Sequence, residues 1–286
     1  QIYKGSGEGK RGVFDIPLPR HDLFPLDKYI YPFTKGRPFA TVLTDYGCPY
    51  RCSFCIMGTL PYKWRSVDNV MEELRYIKGL GISNIYFDDQ TFGVIKNRGE
   101  ELCRRMIDER LGFKWCCFSR VDMAGEEALE LMKEAGCHTI MYGVESGSDE
   151  ILKKYSKDTS REQIKGAFEL CRRAGIKTAA TFVLGLPDDN ESTIMETIEF
   201  AKEIDPDYAS FNIYVPRMHT KLRREVLEKG LISSGTQIMD QTGSFSVAGT
   251  DHLTGQEVLR LKERAIREFY IRPRYFLKRV KGIDSF

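Results

Sequence analysis

Short apolar runs alternate with amphipathic stretches from about Pro38 onward, and the alternation predicts repeated strand–helix pairs around a parallel sheet. Strands are expected at 40–45, 84–88, 114–119, 138–144, 177–184 and 208–215, and helices at 67–80, 99–111, 126–135, 161–174 and 192–204. Three of the helices end alike. "KGLGIS", "KEAGCH" and "RRAGIK" put Gly81, Gly136 and Gly175 where a helix stop favours positive φ. Six such units fall short of the eight that close a full barrel. The expected fold class is α/β, a partial (β/α)6 TIM-like barrel with an N-terminal lead at 1–37, the barrel at 38–218 and a C-terminal helical extension at 219–286. Beyond Pro216 the alternation stops, and helical patterns at 221–229 and 254–270 flank a polar, Gly- and Ser-rich connection expected to lie over one face. Parallel-strand folds gather their chemistry at the C-terminal ends of the strands, so those loops are the place to look for function.

Composition narrows the class. At 286 residues the chain is long enough for a large core. A net charge of +2 argues against a general nucleic-acid coat, so nucleic acid is not the expected partner. The charge is uneven: the run from Arg260 to Lys281 is basic and carries Phe269, Tyr270, Tyr275 and Phe276. That run reads either as a site for an anionic partner or as a solvated helix face with aromatics packed inward. No apolar run is long enough to span a bilayer and no signal-peptide pattern is present, so the expectation is a cytoplasmic chain. In that compartment eight cysteines point to metal binding or buried thiols rather than disulfides. The opening "QIYKGSGEGKRG" has the composition of a linker, with further chain expected before it.

Three of the cysteines stand apart. In "DYGCPYRCSFCIMG" Cys48, Cys52 and Cys55 directly follow the first expected strand, close enough in sequence to wrap one metal centre. A structural zinc site or a saturated iron–sulfur cluster takes four ligands, and no second pair accompanies these three. Three thiolates suit a cluster with one iron left open to a further ligand, with a structural zinc loop as the alternative. Cys116 and Cys117 are neighbours on a strand and point to opposite faces, and with Cys103, Cys137 and Cys171 they read as small buried side chains.

The C-x-x-x-C-x-x-C loop, with Phe54 ahead of its last cysteine and a βα series behind it, resembles the radical SAM superfamily. The resemblance implies a 4Fe–4S cluster on Cys48, Cys52 and Cys55 whose open iron binds the amino and carboxylate groups of S-adenosylmethionine (SAM). One electron then splits the sulfonium bond, and the resulting 5′-deoxyadenosyl radical takes hydrogen from an unactivated carbon. Such a radical has to be shielded from solvent and competing C–H bonds, which gives the barrel its purpose.

The resemblance also implies cofactor-binding residues at the strand ends. "YFDDQTF" offers Asp88 and Asp89 to the amino end of SAM, with a cap as the bland reading. "FSRVD" places Arg120 where it could pair with the SAM carboxylate, or with a structural acid. "YGVESGSDEIL" supplies Gly143, Glu145 and Ser146, a glycine for close backbone approach and a carboxylate for ammonium or ribose hydroxyls. "TFVLGLPDD" sets Leu184 or Leu186 near adenine.

The lead "DIPLPRHDLFPLDKY" and the terminal "REFYIRPRYFLKRV" look like segments of the cobalamin-binding branch, although no D-x-H-x-x-G cobalamin signature is present. Cobalamin is therefore expected only through a domain outside this sequence. Where many relatives carry P-x-P-G-T, this chain has "PRMHT", so Arg217 and His219 become candidates to face substrate. The expected partners are a small-molecule or lipid-like substrate and an electron donor such as flavodoxin or ferredoxin. Methyl transfer or oxidative cyclisation is the leading expectation; a cobalamin-free isomerase, lyase or dehydrogenating enzyme and a non-catalytic cluster or zinc scaffold are the alternatives.

Overall fold

The computed structural model describes residues 12–236, 240–244 and 247–281; the opening segment expected to be a linker lies almost wholly outside them. The main-sheet strands are β1 (Phe39–Val42), β4 (Asn84–Phe87), β5 (Lys114–Ser119), β6 (Cys137–Glu145), β7 (Lys177–Leu184) and β8 (Tyr208–Ile213). They form one parallel six-stranded sheet in the order β1-β4-β5-β6-β7-β8, the expected partial barrel, which does not close. The helices between them are α1 (Val67–Gly79), α2 (Lys96–Asp108), α3 (Glu126–Glu134), α4 (Asp149–Lys154), α5 (Arg161–Arg173) and α6 (Glu191–Ile204). After β8 come α7 (Lys221–Glu228), α8 (Gly255–Tyr270) and α9 (Pro273–Lys281). A small antiparallel pair, β2 (Asp45–Tyr46) with β3 (Lys63–Trp64), brackets the cysteine loop. Two-residue strands carry no readable periodicity, which is why the hydrophobic pattern gave no sign of them.

The described residues divide into two compact units. One contains the chain up to Pro49 with Met57–Met141 and Leu170–Lys177; the other contains Tyr50–Ile56, Tyr142–Glu169 and the chain from Thr178. In the first, Phe87, Phe92 and Trp115 pack as an aromatic trio with centroids 5.1–5.2 Å apart. Trp115 is fully buried and its indole N–H donates to the Ala135 carbonyl at 2.9 Å, so a large apolar side chain enters the core without an unmet donor. From Gly12 onward the lead is docked rather than slack. The Phe14 N–H donates to Trp64 O, and Asp15 accepts from the Ser66 hydroxyl and N–H at the start of α1. In the second unit Phe182 stacks on Phe211 at 5.0 Å, and Phe269 and Tyr275 from the C-terminal helices continue the layer. The basic C-terminal run thus turns Phe269, Tyr270 and Tyr275 inward, while Phe276 stays exposed.

All three anticipated helix stops have positive φ: 76° at Gly81, 99° at Gly136 and 67° at Gly175. Their surroundings differ sharply. A Cβ on Gly136 would lie 1.9 Å from the Phe113 carbonyl oxygen, whereas one on Gly81 would meet nothing within 4 Å. Gly81→Ala therefore carries only the conformational penalty, about 1 kcal/mol. Gly136→Ala adds a backbone collision at the entry to β6, and a loss of about 3 kcal/mol or more is expected in chemical denaturation. Equal losses for the two variants would mean that φ alone decides.

Candidate active site at the cysteine loop

The cysteine loop leaves β2 through Gly47, whose φ is 75° and whose Cβ would sit 2.6 Å from the Pro61 carbonyl, so no other residue fits the turn. The arm leading into it is bolted down by side chains from β4's end, α1 and α2. Asp89 accepts from the Thr44 N–H and hydroxyl, each at 2.6 Å, and from the Asp45 N–H at 3.0 Å. Arg98 donates to the carbonyls of Thr44 at 2.7 Å and Arg65 at 2.8 Å. Arg65 donates to Leu43 O at 2.9 Å and pairs with the buried Glu73, which also meets His21 at 2.8 Å. Within the second unit, Ser53 donates its N–H to the Tyr155 carbonyl at 3.0 Å, and Cys55 N–H closes a turn on Cys52 O. Phe54, the aromatic ahead of the last cysteine and a cofactor-side candidate by the family resemblance, packs there against the apolar cluster of Ile151, Tyr155, Leu186, Tyr214, Leu222 and Val226.

Cysteine exposure separates the two classes anticipated from sequence. Cys48, Cys52 and Cys55 are half-buried, the other five are buried, and no disulfide joins any of them. Burial pushes the thiols of Cys103 and Cys116 up to about 12 and that of Cys117 well above its ordinary value, which keeps them protonated and poor ligands. Among the described residues no group of three or more His, Cys, Asp or Glu side chains is gathered at metal-ligand spacing. The loop is fitted to an iron–sulfur cluster by donor type, partial exposure and sequence spacing; it is not closed around a site. Three thiols on one eight-residue arc are the donor set such a cluster takes when one iron is left open.

The strand-end residues divide by what their side chains already hold. Asp88 is exposed at the end of β4, two residues beyond Tyr86, whose ring stacks on Tyr31 at 4.4 Å. Asp89 is 1% exposed and turned into the polypeptide as a backbone clamp, so its carboxylate is committed to Thr44 and Asp45. Arg120 is buried and forms an ion pair with Asp122 at 3.0 Å, the structural partner that its sequence left open. Glu145 holds φ at 68° and accepts from Lys157 at 2.9 Å in a nearly buried pair. A Cβ on Gly143 would come within 2.3 Å of that carboxylate and 3.0 Å of the ammonium, so Gly143 makes room for an internal ion pair rather than for an approaching ligand. Ser146 is buried, meets Thr197 at 3.2 Å and accepts from the Ser148 N–H, closing a turn. Leu184 ends β7 at 1% exposure, and its carbonyl accepts from Tyr214 N–H. In the following turn Asp189 accepts from the N–H groups of Gly185 and Leu186, and burial lifts it to about 6 against those bonds. Arg217 and His219 are exposed in the turn before α7.

Sequence reasoning missed Asp45, Tyr62, Arg98 and Lys157. Asp45 is 2% exposed, accepts from the Tyr62 phenol at 3.2 Å through one oxygen, and leaves the other without a partner. Burial first, then the charge of Asp89, pushes it up to about 8. Asp89 is also raised by burial, but three donors oppose that shift; Asp45, with one, is the member that keeps the proton.

Comparison with known proteins fixes the family. The Radical SAM superfamily model matches residues 42–201, and the chain belongs to that superfamily. The cofactors that go with the family are a 4Fe–4S cluster and SAM. An uncharacterized methyltransferase of Pyrococcus horikoshii is 34% identical over 273 residues, covering 94% of this chain and 58% of that protein. The anaerobic magnesium-protoporphyrin IX monomethyl ester cyclase of Rubrivivax gelatinosus is 29% identical over 221 residues, covering 75% and 40%. The chain thus spans about half the length of the curated relatives it matches. Among solved structures, the radical SAM methyltransferase TsrM from Kitasatospora setae with cobalamin and a 4Fe–4S cluster bound shares the fold at a TM-score of 0.62 and 20% identity, over 78% of this chain and 46% of that one. No helix among the described residues is long and apolar enough to cross a membrane.

Proposed function

We propose that the chain is the SAM-cleaving part of an enzyme that transfers a methyl group to an unactivated carbon with cobalamin as the methyl carrier. The observation that carries this reading is the contrast between three half-buried thiols on a braced loop and five sealed ones. With cluster and SAM bound, the centre supplies one-electron reductive cleavage of the sulfonium. The residues of the chain have simpler tasks. Cys48, Cys52 and Cys55 are the thiolate ligands. Asp89, Arg98 and Arg65 hold the entering arm, and Ser53 and Phe54 hold the leaving arm. Asp88 offers an exposed carboxylate to the SAM ammonium. In the first unit Arg120 is held by Asp122; in the second Lys157 holds Glu145, Gly143 and Ser146 shape the same segment, and Leu184 is buried at the end of β7.

Methyl transfer is favoured because relatives along most of this chain carry methyltransferase names. The cyclase relative supports oxidative cyclisation as a second reading. The substrate is a small or lipid-like molecule and the electron donor a flavodoxin or ferredoxin. The test is anaerobic reconstitution with iron and sulfide, then reduction with methyl-labelled SAM with and without cobalamin. Formation of 5′-deoxyadenosine that needs all three cysteines, with label passing to added cobalamin, is expected. Bound zinc in place of iron, or intact SAM after reduction, would sink the proposal; deoxyadenosine without any label on cobalamin would leave the cyclase reading.

A further inference from the structure

Four lysines and a buried histidine converge where the strands of the first unit begin. Lys114 opens β5, His138 is the second residue of β6 and Lys177 opens β7. These strands are neighbours in the sheet. At the roughly 4.8 Å spacing of paired strands, Lys114, His138 and Lys177 start three adjacent strands at one end of the sheet. Lys133, in the last turn of α3 before β6, donates to the Gly175 carbonyl at 2.6 Å, two residues ahead of Lys177. Lys35 sits beside Gly36, where a Cβ would lie 3.2 Å from the Asn84 amide, and Asn84 is the register partner of Lys114.

The charges in this group are uncompensated. Among the described residues none of the four ammonium groups forms an ion pair with a carboxylate. Lys35 is pushed down by burial and then by Lys177, Lys133 and Lys114. His138 is pushed down to about 4 by burial and then by the same three lysines and Lys35. The ring is therefore neutral near pH 7 and carries one N–H. Nδ1 lies 2.8 Å from the Thr139 hydroxyl, whereas Nε2 is buried with no partner, in a residue only 6% exposed. In the tautomer in which Nδ1 accepts from the Thr139 hydroxyl, Nε2–H is a buried donor lacking an acceptor, and that is the form an oxyanion would select.

We propose that this cluster is a binding site for a phosphate-type oxyanion, held by Nε2–H of His138 and neutralised by Lys35, Lys114, Lys133 and Lys177. A neutral acceptor would satisfy the imidazole and leave the lysines repelling one another, and a cation would add to the repulsion. A multiply charged oxyanion answers both deficits. None of these residues belongs to the cysteine loop or the strand-end set, so the site is independent of the SAM chemistry.

The test is calorimetric titration of the intact chain with inorganic phosphate, inorganic pyrophosphate and glycerol phosphate, at ionic strength matched with sodium chloride. His138 is followed by its ring proton resonances. The expected result is saturable binding of one anion per chain, weakened about tenfold or more in K35A/K177A. Because both lysines are exposed, that variant keeps its fold, which its unfolding transition verifies. The His138 resonances should move on binding in the wild type, and the pH at which they titrate should rise as the anion offsets the lysines. Preference for the free anions over glycerol phosphate would assign an inorganic ligand, and the reverse a phosphate ester. Heats no larger than those of matched chloride, binding unchanged in K35A/K177A, or silent His138 resonances would overturn the proposal.

Discussion

Serine at Cys48, Cys52 or Cys55 is expected to cut the iron and acid-labile sulfide retained after anaerobic reconstitution by about 10- to 100-fold, taking deoxyadenosine formation with it. The chain contains its own control. Cys103 is a buried thiol pushed up to about 12, so at neutral pH it is not the thiolate that iron requires. Alanine there removes a small apolar group and should cost about 1 kcal/mol of stability while iron binding stays at the wild-type level. The comparison also separates ligation from folding. The three loop cysteines are half-buried, and Gly47, the Asp89 clamp and the Tyr155 carbonyl hold the loop through backbone groups that a serine leaves in place. Circular dichroism of the serine variants should therefore match the wild type in the absence of iron. Full iron content in C52S, or loss of iron in C103A, would show that the wrong thiols had been chosen.

The parts of the molecule legible from sequence are those governed by local periodicity or by one residue's backbone freedom. The main-sheet strands follow the apolar runs to within a few residues because most of their residues are buried, those of β5 and β7 along almost the whole strand. Gly81, Gly136 and Gly175 were readable because a left-handed stop favours glycine, although Asp205 takes the same conformation after α6. The division between loop and buried cysteines was readable from spacing and from the apolar text around the others. What the sequence hid was the partner of each polar side chain. Nothing in "FDDQTF" tells that Asp88 faces solvent while Asp89 turns to Thr44, since the difference arises from strand alternation and from a residue 45 positions away. Gly143 and Glu145 look like a ligand-approach motif until Lys157, twelve residues on, is found filling the space beside them. Arg120 resolved in the same way onto Asp122. Residue type fixes what a side chain is able to bind, and tertiary packing decides what it does bind.

The buried acids below the cysteine loop yield the largest stability effects. Asp89→Ala leaves the N–H groups of Thr44 and Asp45 and the Thr44 hydroxyl without an acceptor in a site closed to water, a loss on the order of 3–5 kcal/mol. Asp45→Asn should act in the opposite direction, with a pH dependence of definite sign. The folded protein holds Asp45 near 8, above the ordinary carboxyl value of 3.8, so the folded state binds more protons than the unfolded chain between those two values. Its contribution to stability is fully present below about pH 4 and is lost as pH rises through 8. Asparagine still accepts from the Tyr62 phenol and never has to give up a proton. D45N and the wild type should therefore unfold alike near pH 4, and D45N should be more stable by on the order of 5 kcal/mol at pH 8 and above. Urea denaturation of both proteins across that range checks it. A wild type whose advantage over D45N grows with pH would show that Asp45 is ionised in the fold, and that the proton belongs to Asp89. In that event the Asp89 clamp would be a neutral one and D89N would be tolerated. With the proton on Asp45, D89N instead weakens charge-assisted bonds to the loop's entering arm and should lose stability along with cluster retention.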